Sequence, residues 1–174
     1  MPALFARVLG ETFAQLPTRV RALHEREGTR TYRGVADVER DAGFLPRLFS
    51  WATSLPRAGR DVALVVTIET SADTEKWTRD FAGHRMPSRL GESNGALQEK
   101  LGLATFDFDL TIENQALVWR VGRVRALGIP LPPAWFANVV AREFDSDGRY
   151  RFDVRAQMPG IGLLVHYHGW LDVD

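Results

Sequence analysis

The spacing of hydrophobic residues predicts that the chain begins with helices. Over the first 27 residues apolar side chains recur every three or four positions, which is typical of one face of an α-helix. Pro17 suits the first turn of a second helix, whose apolar side carries Val20, Leu23 and His24. A third helix is predicted over residues 43–55, where the segment GFLPRLFSWATSLP has a broad apolar stripe of the kind that usually docks on a protein's own core.

The remaining chain has the pattern of strands and turns. Alternating or β-branched and aromatic segments predict ten strands: Thr31–Glu39, Asp61–Thr70, Glu75–Ala82, His84–Leu90, Leu97–Leu101, Ala104–Glu113, Ala116–Val124, Val139–Asp145, Tyr150–Met158 and Leu163–Asp172. Short strands joined by turn signals predict an antiparallel meander that forms a closed or nearly closed β-barrel. The fold class is therefore α+β and mainly β, with residues 1–174 as a single domain: helices over 1–27 and 43–55, barrel strands over 31–39 and 61–172. The proline loop at 127–135 and the helix over 43–55 would cover one mouth of the barrel.

One predicted hairpin turns at Asn114-Gln115. Its first strand, FDFDLTIE, alternates apolar and polar residues, so one face is apolar throughout. A two-residue turn then places these residues opposite one another on the inner face: Ile112 and Leu117, Leu110 and Trp119, Phe108 and Val121. The same register predicts an exposed ion pair between Asp109 and Arg120.

A second hairpin is predicted at Asp147-Gly148, a strong signal for a type I′ turn. Its register pairs Ala141 with Val154 and Glu143 with Phe152 on the inner face. A carboxylate therefore faces the core, and a shift of one residue in the register would move it outside.

Alternation places further charged groups inside the barrel. Arg79 lies between Trp77 and Phe81, Glu99 lies between Leu97 and Leu101, and Arg123 continues the face of Trp119. Buried charges need partners, which here are each other, water or a ligand. The candidate ligand-binding residues are Trp77, Arg79, Phe81, Trp119, Arg123, Tyr150 and Tyr167, and the weak catalytic candidates are Glu99 and Glu143.

Composition excludes several classes of function. Lys and Arg together number 22, and Asp and Glu also number 22. The chain therefore lacks the excess of positive charge that attracts nucleic acids. The absence of cysteine excludes disulfides, thiolate metal sites and cysteine nucleophiles. No apolar run approaches the roughly 18 residues of a membrane span, and Arg7 and Glu11 interrupt any signal-peptide apolar region. A cytoplasmic location is expected.

The histidines and the known motifs predict neither a metal nor a cofactor. His166 and His168 stand two apart near the end of the chain, but no third ligand follows at a recognisable spacing, and His24 and His84 lie in a helix and beside a turn. The two neighbouring histidines are therefore predicted to form a solvated face of a strand. No GxGxxG motif, P-loop or serine nucleophile elbow is present.

Five segments spread along the chain form a recognisable set: LPTRVRALHE, YRGVADVERD, KWTRDFAGHRMPSRL, LGIPLPPAW and GRYRFDVRAQMPGIGLLVHYHGWL. Taken together they resemble the bacterial domain of unknown function 4166 family. The resemblance implies a domain that stands alone or is fused behind an NAD(P)-binding reductase-like domain, with a supporting role in small-molecule or lipid metabolism. The reductase part is absent here, so neither a nicotinamide cofactor nor a catalytic residue is carried over.

Three hypotheses of function remain open, and the sequence does not decide whether the protein is an enzyme. The first is a barrel that binds an amphipathic, lipid-like small molecule or acid, with Arg79 or Arg123 at its anionic head. The second is a cofactor-independent isomerase, cyclase or decarboxylase, with Glu99 or Glu143 as general base. The third is a filled barrel that docks on a separate reductase-like protein through an apolar patch at Phe44, Phe49 and Trp51.

Overall fold

The N-terminal helices are present in the computed structural model, which describes residues 2–25, 27–43 and 53–173. They are α1 (Leu4–Leu9), a 3-10 helix (Gly10–Gln15) and α2 (Thr18–Glu25). Most of the third predicted helix, and with it the patch at Phe44, Phe49 and Trp51, lies outside the described residues. Among the described residues, no helix has the length and apolar character to cross a bilayer.

The described residues form eleven strands in one antiparallel sheet. In chain order they are β1 (Thr29–Glu39), β2 (Gly59–Thr70), β3 (Thr74–Phe81), β4 (His84–Ser93), β5 (Ala96–Leu101), β6 (Ala104–Glu113), β7 (Ala116–Ala126), β8 (Ile129–Leu131), β9 (Asn138–Ser146), β10 (Arg149–Met158) and β11 (Gly162–Leu171).

The sheet closes into a barrel of ten strands, which confirms the predicted fold class. Strands β1 to β7 pair with their neighbours in sequence, β7 also pairs with β9, and β11 returns to pair with β1. Strand β8 is outside the ring because it pairs with the end of β7 alone. It lies in the predicted proline loop, where a 3-10 helix (Pro133–Phe136) follows it.

The β1–β11 seam depends on two glycines that allow the backbones to approach closely. A Cβ atom on Gly34 would collide with the carbonyl oxygen of Trp170, and one on Gly169 would collide with the carbonyl oxygen of Val35. Since backbone cannot move aside as a side chain does, any larger residue would disturb the pairing that closes the barrel.

Both predicted hairpin registers are confirmed. Ile112 pairs with Leu117 across the Asn114-Gln115 turn, and Glu143 pairs with Phe152 across the Asp147-Gly148 turn. The turn residues adopt the positive φ angles that a tight two-residue connection requires. Glu143 is consequently buried on the inner face of the barrel.

The hydrophobic core lies inside the barrel and continues into the helices. Phe5 of α1 and Val20 of α2 are fully buried, and the Phe5 ring lies 5.4 Å from that of Trp119 on β7. Because α2 contacts β9 and β10, it brings His24 against the inner strands. The helices therefore contribute both apolar and polar groups to the interior.

Candidate functional site

A buried ion pair joins β3 and β5 inside the barrel. The Nη1 atom of Arg79 donates to Glu99 Oε1 at 3.3 Å and to the Ser88 hydroxyl at 2.9 Å. The two charged side chains are 11% and 10% exposed. Burial lowers the pKa of Arg79, but the Glu99 carboxylate and the nearby tyrosines raise it, and the net shift is upward. Arg79 therefore remains a cation.

One edge of the Arg79 guanidinium remains available. Both hydrogen bonds leave from Nη1, and neither Nε nor Nη2 bonds to any part of the chain that the structure describes. The Nε–Nη2 edge of a guanidinium matches the two oxygens of a carboxylate. The Trp77 ring lies 4.8 Å from the guanidinium carbon and helps to hold its plane.

A second polar cluster connects α2 to β9. His24 Nε2 lies 2.6 Å from Glu143 Oε2, and both side chains are buried. The His24 ring packs against the Phe5 ring, with 3.7 Å between their centroids and an angle of 30° between their planes. Burial and the Glu143 carboxylate, to which the Tyr150 hydroxyl bonds, raise the pKa of Tyr150 well above its ordinary range. The tyrosine therefore stays protonated and acts as a hydrogen-bond donor.

Glu75 at the start of β3 is a third buried carboxyl group. It accepts a hydrogen bond of 2.8 Å from the indole N–H of Trp77. Burial raises the pKa of Glu75, although His24 and the Trp77 N–H both act in the opposite direction. Glu75 and Glu143 thus place two carboxyl groups near one histidine.

Two buried nitrogens near this cluster lack hydrogen bonds. His24 Nδ1 and Trp119 Nε1 have no partner among the described residues. A buried donor without a partner costs about 1–3 kcal/mol, so such groups usually bind water or a ligand. Trp119 is also part of the wall of an interior cavity.

The barrel interior contains two cavities of about 90 Å³ each. The first extends toward Glu143 and Trp119, and the second toward Phe136 and Leu164. Both are lined by the same central group of residues: Arg79, Glu99, Phe108, Val139, Val154 and Tyr167. Burial raises the pKa of Tyr167 to about 12. The ion pair therefore stands between two largely apolar spaces, and the barrel is not solidly filled.

All the candidate site residues except one line the first cavity. The structure brings together Trp77, Arg79, Phe81, Glu99, Trp119, Glu143, Tyr150 and Tyr167. Their role in binding or catalysis remains a prediction.

Arg123 is the exception, and the prediction that it faces inward is wrong. A β-bulge falls in this hairpin, because Phe108 pairs with Val121 whereas Asp107 pairs with Arg123. Gly122 is therefore extra, the alternation shifts by one residue, and Arg123 is exposed on the outside.

The predicted ion pair of Asp109 and Arg120 is also corrected. Arg120 on β7 stands opposite Asp109 on β6, but its guanidinium bonds to Glu113, which lies further along β6 at the turn. Both nitrogens at the end of the guanidinium donate to the two carboxylate oxygens of Glu113, a bidentate contact of the strong kind.

The paired histidines near the end of the chain lie away from the cavities. His166 Nε2 is 3.0 Å from Asp153, and both are partly exposed. Among the described residues, no group of three or more His, Asp or Glu side chains has the geometry of a metal site. The pair is thus part of the partly exposed surface of β11.

Three interior polar residues are not among the candidates that the sequence predicts. Alternation does indicate Glu75 and Ser88, because it places them on the inner faces of their strands with Trp77 and with Met86. His24 shared the apolar side of its helix with Val20 and Leu23, but its partner Glu143 is remote in sequence.

The family model for the domain of unknown function DUF4166 matches residues 16–171. The match covers nearly the whole barrel and α2, so the chain belongs to this family. No curated protein matches the sequence.

Proposed function

We propose that this DUF4166 domain binds a small amphipathic acid, lipid-like in character, inside its barrel. The observation that carries the proposal is the Nε–Nη2 edge of Arg79, which has no hydrogen-bond partner among the described residues. Arg79 lies in the walls of both cavities. A carboxylate at this edge would gain two charge-assisted hydrogen bonds.

The cavity walls around Arg79 suit the apolar part of such a ligand. The first cavity is lined by the aromatic rings of Trp77, Phe81, Trp119 and Tyr167, and the second by Phe106 and Phe136. The indole N–H of Trp119 offers a further donor to a polar substituent.

The cavity volume limits the size of the ligand. Two spaces of about 90 Å³ each are together smaller than the roughly 300–1,000 Å³ of pockets for drug-sized ligands. A short-chain or compact acid therefore fits better than a long fatty acid.

The first test is native mass spectrometry of the purified protein, with organic extraction of any adduct. The protein is then titrated with hexanoate and with 1-hexanol, and binding is followed by tryptophan fluorescence. The comparison distinguishes the contribution of the carboxylate to affinity from that of the alkyl tail. We expect hexanoate to bind more tightly than 1-hexanol. A clean mass from several preparations together with no response to either compound would overturn the proposal.

The matched variants are designed to keep the barrel folded. Arg79→Met with Glu99→Leu removes the ion pair as a unit, so no buried charge is left alone. Arg123→Met removes a similar side chain from the outer surface and serves as the control. The double variant should lose the preference for hexanoate over 1-hexanol, whereas the control should keep it.

One observation favours a second candidate function, proton transfer by Glu143. This carboxylate lies in the wall of the first cavity and bonds to His24 and Tyr150, with no arginine partner within the described ranges. Glu99 fits the role of base less well because one of its carboxylate oxygens already accepts a hydrogen bond from Arg79.

The test of this second candidate uses whatever acid the extraction identifies. The protein and that acid are incubated in D₂O, and deuterium incorporation at carbon is followed by mass spectrometry. Glu143→Gln should abolish the exchange while binding persists, and Glu99→Gln should leave it in place. Exchange that is absent from the unmodified protein, or unchanged in Glu143→Gln, would exclude Glu143 as the base.

A further inference from the structure

Large apolar side chains are exposed in and after two adjoining turns at one end of the barrel, the turn from β5 to β6 and the turn from β7 to β8. Trp135 lies in the 3-10 helix that follows β8. Leu103, Leu127, Ile129 and Trp135 are 46%, 75%, 66% and 47% exposed. The Leu127 amide donates to the Leu103 carbonyl oxygen at 3.0 Å, so the two turns adjoin, and Ile129 follows directly on β8. We name these four residues the apolar rim.

The backbone at Leu127 is unusual for a residue of this type. Leu127 has a φ of 51° in a two-residue turn followed by Gly128. At four similar turns of this barrel the first residue is Ala82, Asn94, Asn114 or Asp147. Asn and Asp tolerate this left-handed conformation, but a bulky apolar residue adopts it at a cost. An exposed leucine here is therefore disfavoured both by solvation and by backbone geometry.

A row of cations crosses the outer face of the barrel beside the rim. Arg89 on β4 pairs with Lys100 on β5, Lys100 pairs with Thr105 on β6, and Thr105 pairs with Arg125 on β7. The next outward residue down β7 is Arg123. We name Arg89, Lys100, Arg123 and Arg125 the basic row.

Most of the positive charge in this row is uncompensated. Arg125 pairs with Asp107, but Arg89, Lys100 and Arg123 have no acidic partner within 4.0 Å in the described part of the chain. All three are exposed. The surface beside the apolar rim therefore attracts anions although the whole chain has a net charge of zero.

We propose that the apolar rim and the basic row dock this domain on an anionic lipid bilayer. The rim residues would enter the boundary between head groups and acyl chains, and the basic row would contact the anionic head groups. Leu103 and Leu127 of the rim lie at the tips of turns, and such projecting side chains suit a fluid surface that needs no matched shape. A protein partner would instead have to complement these tips individually.

The proposed docking surface is continuous with the interior. Phe136, adjacent to Trp135 of the rim, is buried and lines the second cavity. A docked barrel would thus hold this cavity next to the source of an amphipathic ligand. The docking itself depends on the rim and the basic row alone, whereas delivery of a ligand rests on the function proposed above.

The test is flotation of the full chain with vesicles of phosphatidylcholine, alone or mixed in equal parts with phosphatidylglycerol. We expect binding to the mixed vesicles at low salt, weaker binding at high salt, and little binding to phosphatidylcholine alone. Leu127→Asn should reduce the partition coefficient about tenfold, since it removes one buried leucine from the interface. Arg89→Gln and Lys100→Gln should each reduce it about fivefold.

Leu127→Asn places a residue that favours the left-handed conformation at this turn, so loss of folding is not a concern. Arg30→Gln, an exposed arginine at the start of β1, is the control and should bind as the unmodified protein does. Absence of binding to the mixed vesicles at low salt would overturn the proposal. So would self-association in sedimentation that Leu127→Asn abolishes while vesicles leave it unchanged, because the rim would then join two copies of the chain. Hexanoate binding by Leu127→Asn reports the interior site separately, so the two proposals can fail independently.

Discussion

A double-mutant cycle on Arg79 and Glu99 tests whether the interior ion pair behaves as a buried pair. The two side chains are about one-tenth exposed, and their charged atoms lie 3.3 Å apart. Arg79→Met alone leaves the Glu99 carboxylate buried without a cation, and Glu99→Leu alone leaves the guanidinium without its anion. Each single change should lower the free energy of unfolding by about 3–5 kcal/mol.

The double variant should behave differently because it removes both charges. Replacement of a buried pair by apolar residues of similar volume is neutral or stabilises by up to about 4 kcal/mol. The effects of the single changes should therefore not add, and the coupling should amount to several kcal/mol. The free energy of unfolding of a whole domain is only about 5–15 kcal/mol. The single variants should therefore be measurably less stable than the unmodified protein, whereas the double variant should fold normally.

The assay is urea denaturation followed by far-ultraviolet circular dichroism, because tryptophan fluorescence would respond to the loss of Arg79 from Trp77 directly. The same cycle on the exposed pair of Glu113 and Arg120 is the control and should show a much smaller coupling. The reasoning is refuted if the single variants of the interior pair lose no more free energy of unfolding than the single variants of the exposed pair. It is equally refuted if the double variant loses the sum of the two single effects.

Three further predictions concern single positions. Because burial raises the folded-state pKa of Glu75 above 4.5, its protonated form stabilises the fold at low pH and that contribution is lost as pH rises through the raised pKa. Glu75→Gln should therefore gain stability relative to the unmodified protein as pH increases through this range, measured by urea denaturation; a constant difference would contradict the shift. Hydrogen bonds from Arg120 and Thr111 lower the pKa of Glu113 to about 2, so its contribution is present above 4.5 and lost as pH falls from about 4.5 to about 2. Glu113→Gln should be less stable only above that window, and high salt should shrink the difference in a thermal-melt series because the pair is exposed. Gly169→Ala should lower the melting temperature sharply, whereas Gly148→Ala, with nothing within 4 Å, should cost only the strain of its left-handed turn; equal melting temperatures would argue against tight backbone contact at the seam.

The parts of the site that the sequence could predict are those that depend on local rules. The turns at Asn114-Gln115 and Asp147-Gly148 set the register of their hairpins, and register decides which side chains face inward. The register of the second hairpin alone predicts that Glu143 faces the interior of the barrel. Arg79 and Glu99 followed from simple alternation along β3 and β5.

The remaining parts depend on contacts that no local pattern contains. The bulge at Gly122 puts Arg123 on the outer face of the barrel instead of the inner face. Simple alternation cannot predict such an extra residue in one strand. The approach of His24 to Glu143 joins α2 to β9, and it depends on how the helices pack after the barrel has closed. The cavities are likewise a property of how all ten strands pack together, so their volume could not be derived from any single strand.

The seam between β1 and β11 also determines the stage of folding at which a ligand can bind. Val35 meets Trp170 only after the rest of the barrel has been synthesised, so β1 keeps an unpaired edge until then. Tyr167 and Leu171 belong to the same late strand and also line the first cavity. No partly folded chain that lacks β11 therefore contains the complete site, and a ligand that needs the closed cavity binds the native state alone. Such a ligand should slow unfolding while leaving the folding rate unchanged, and the closure of a strand pair so distant in sequence should make that rate low.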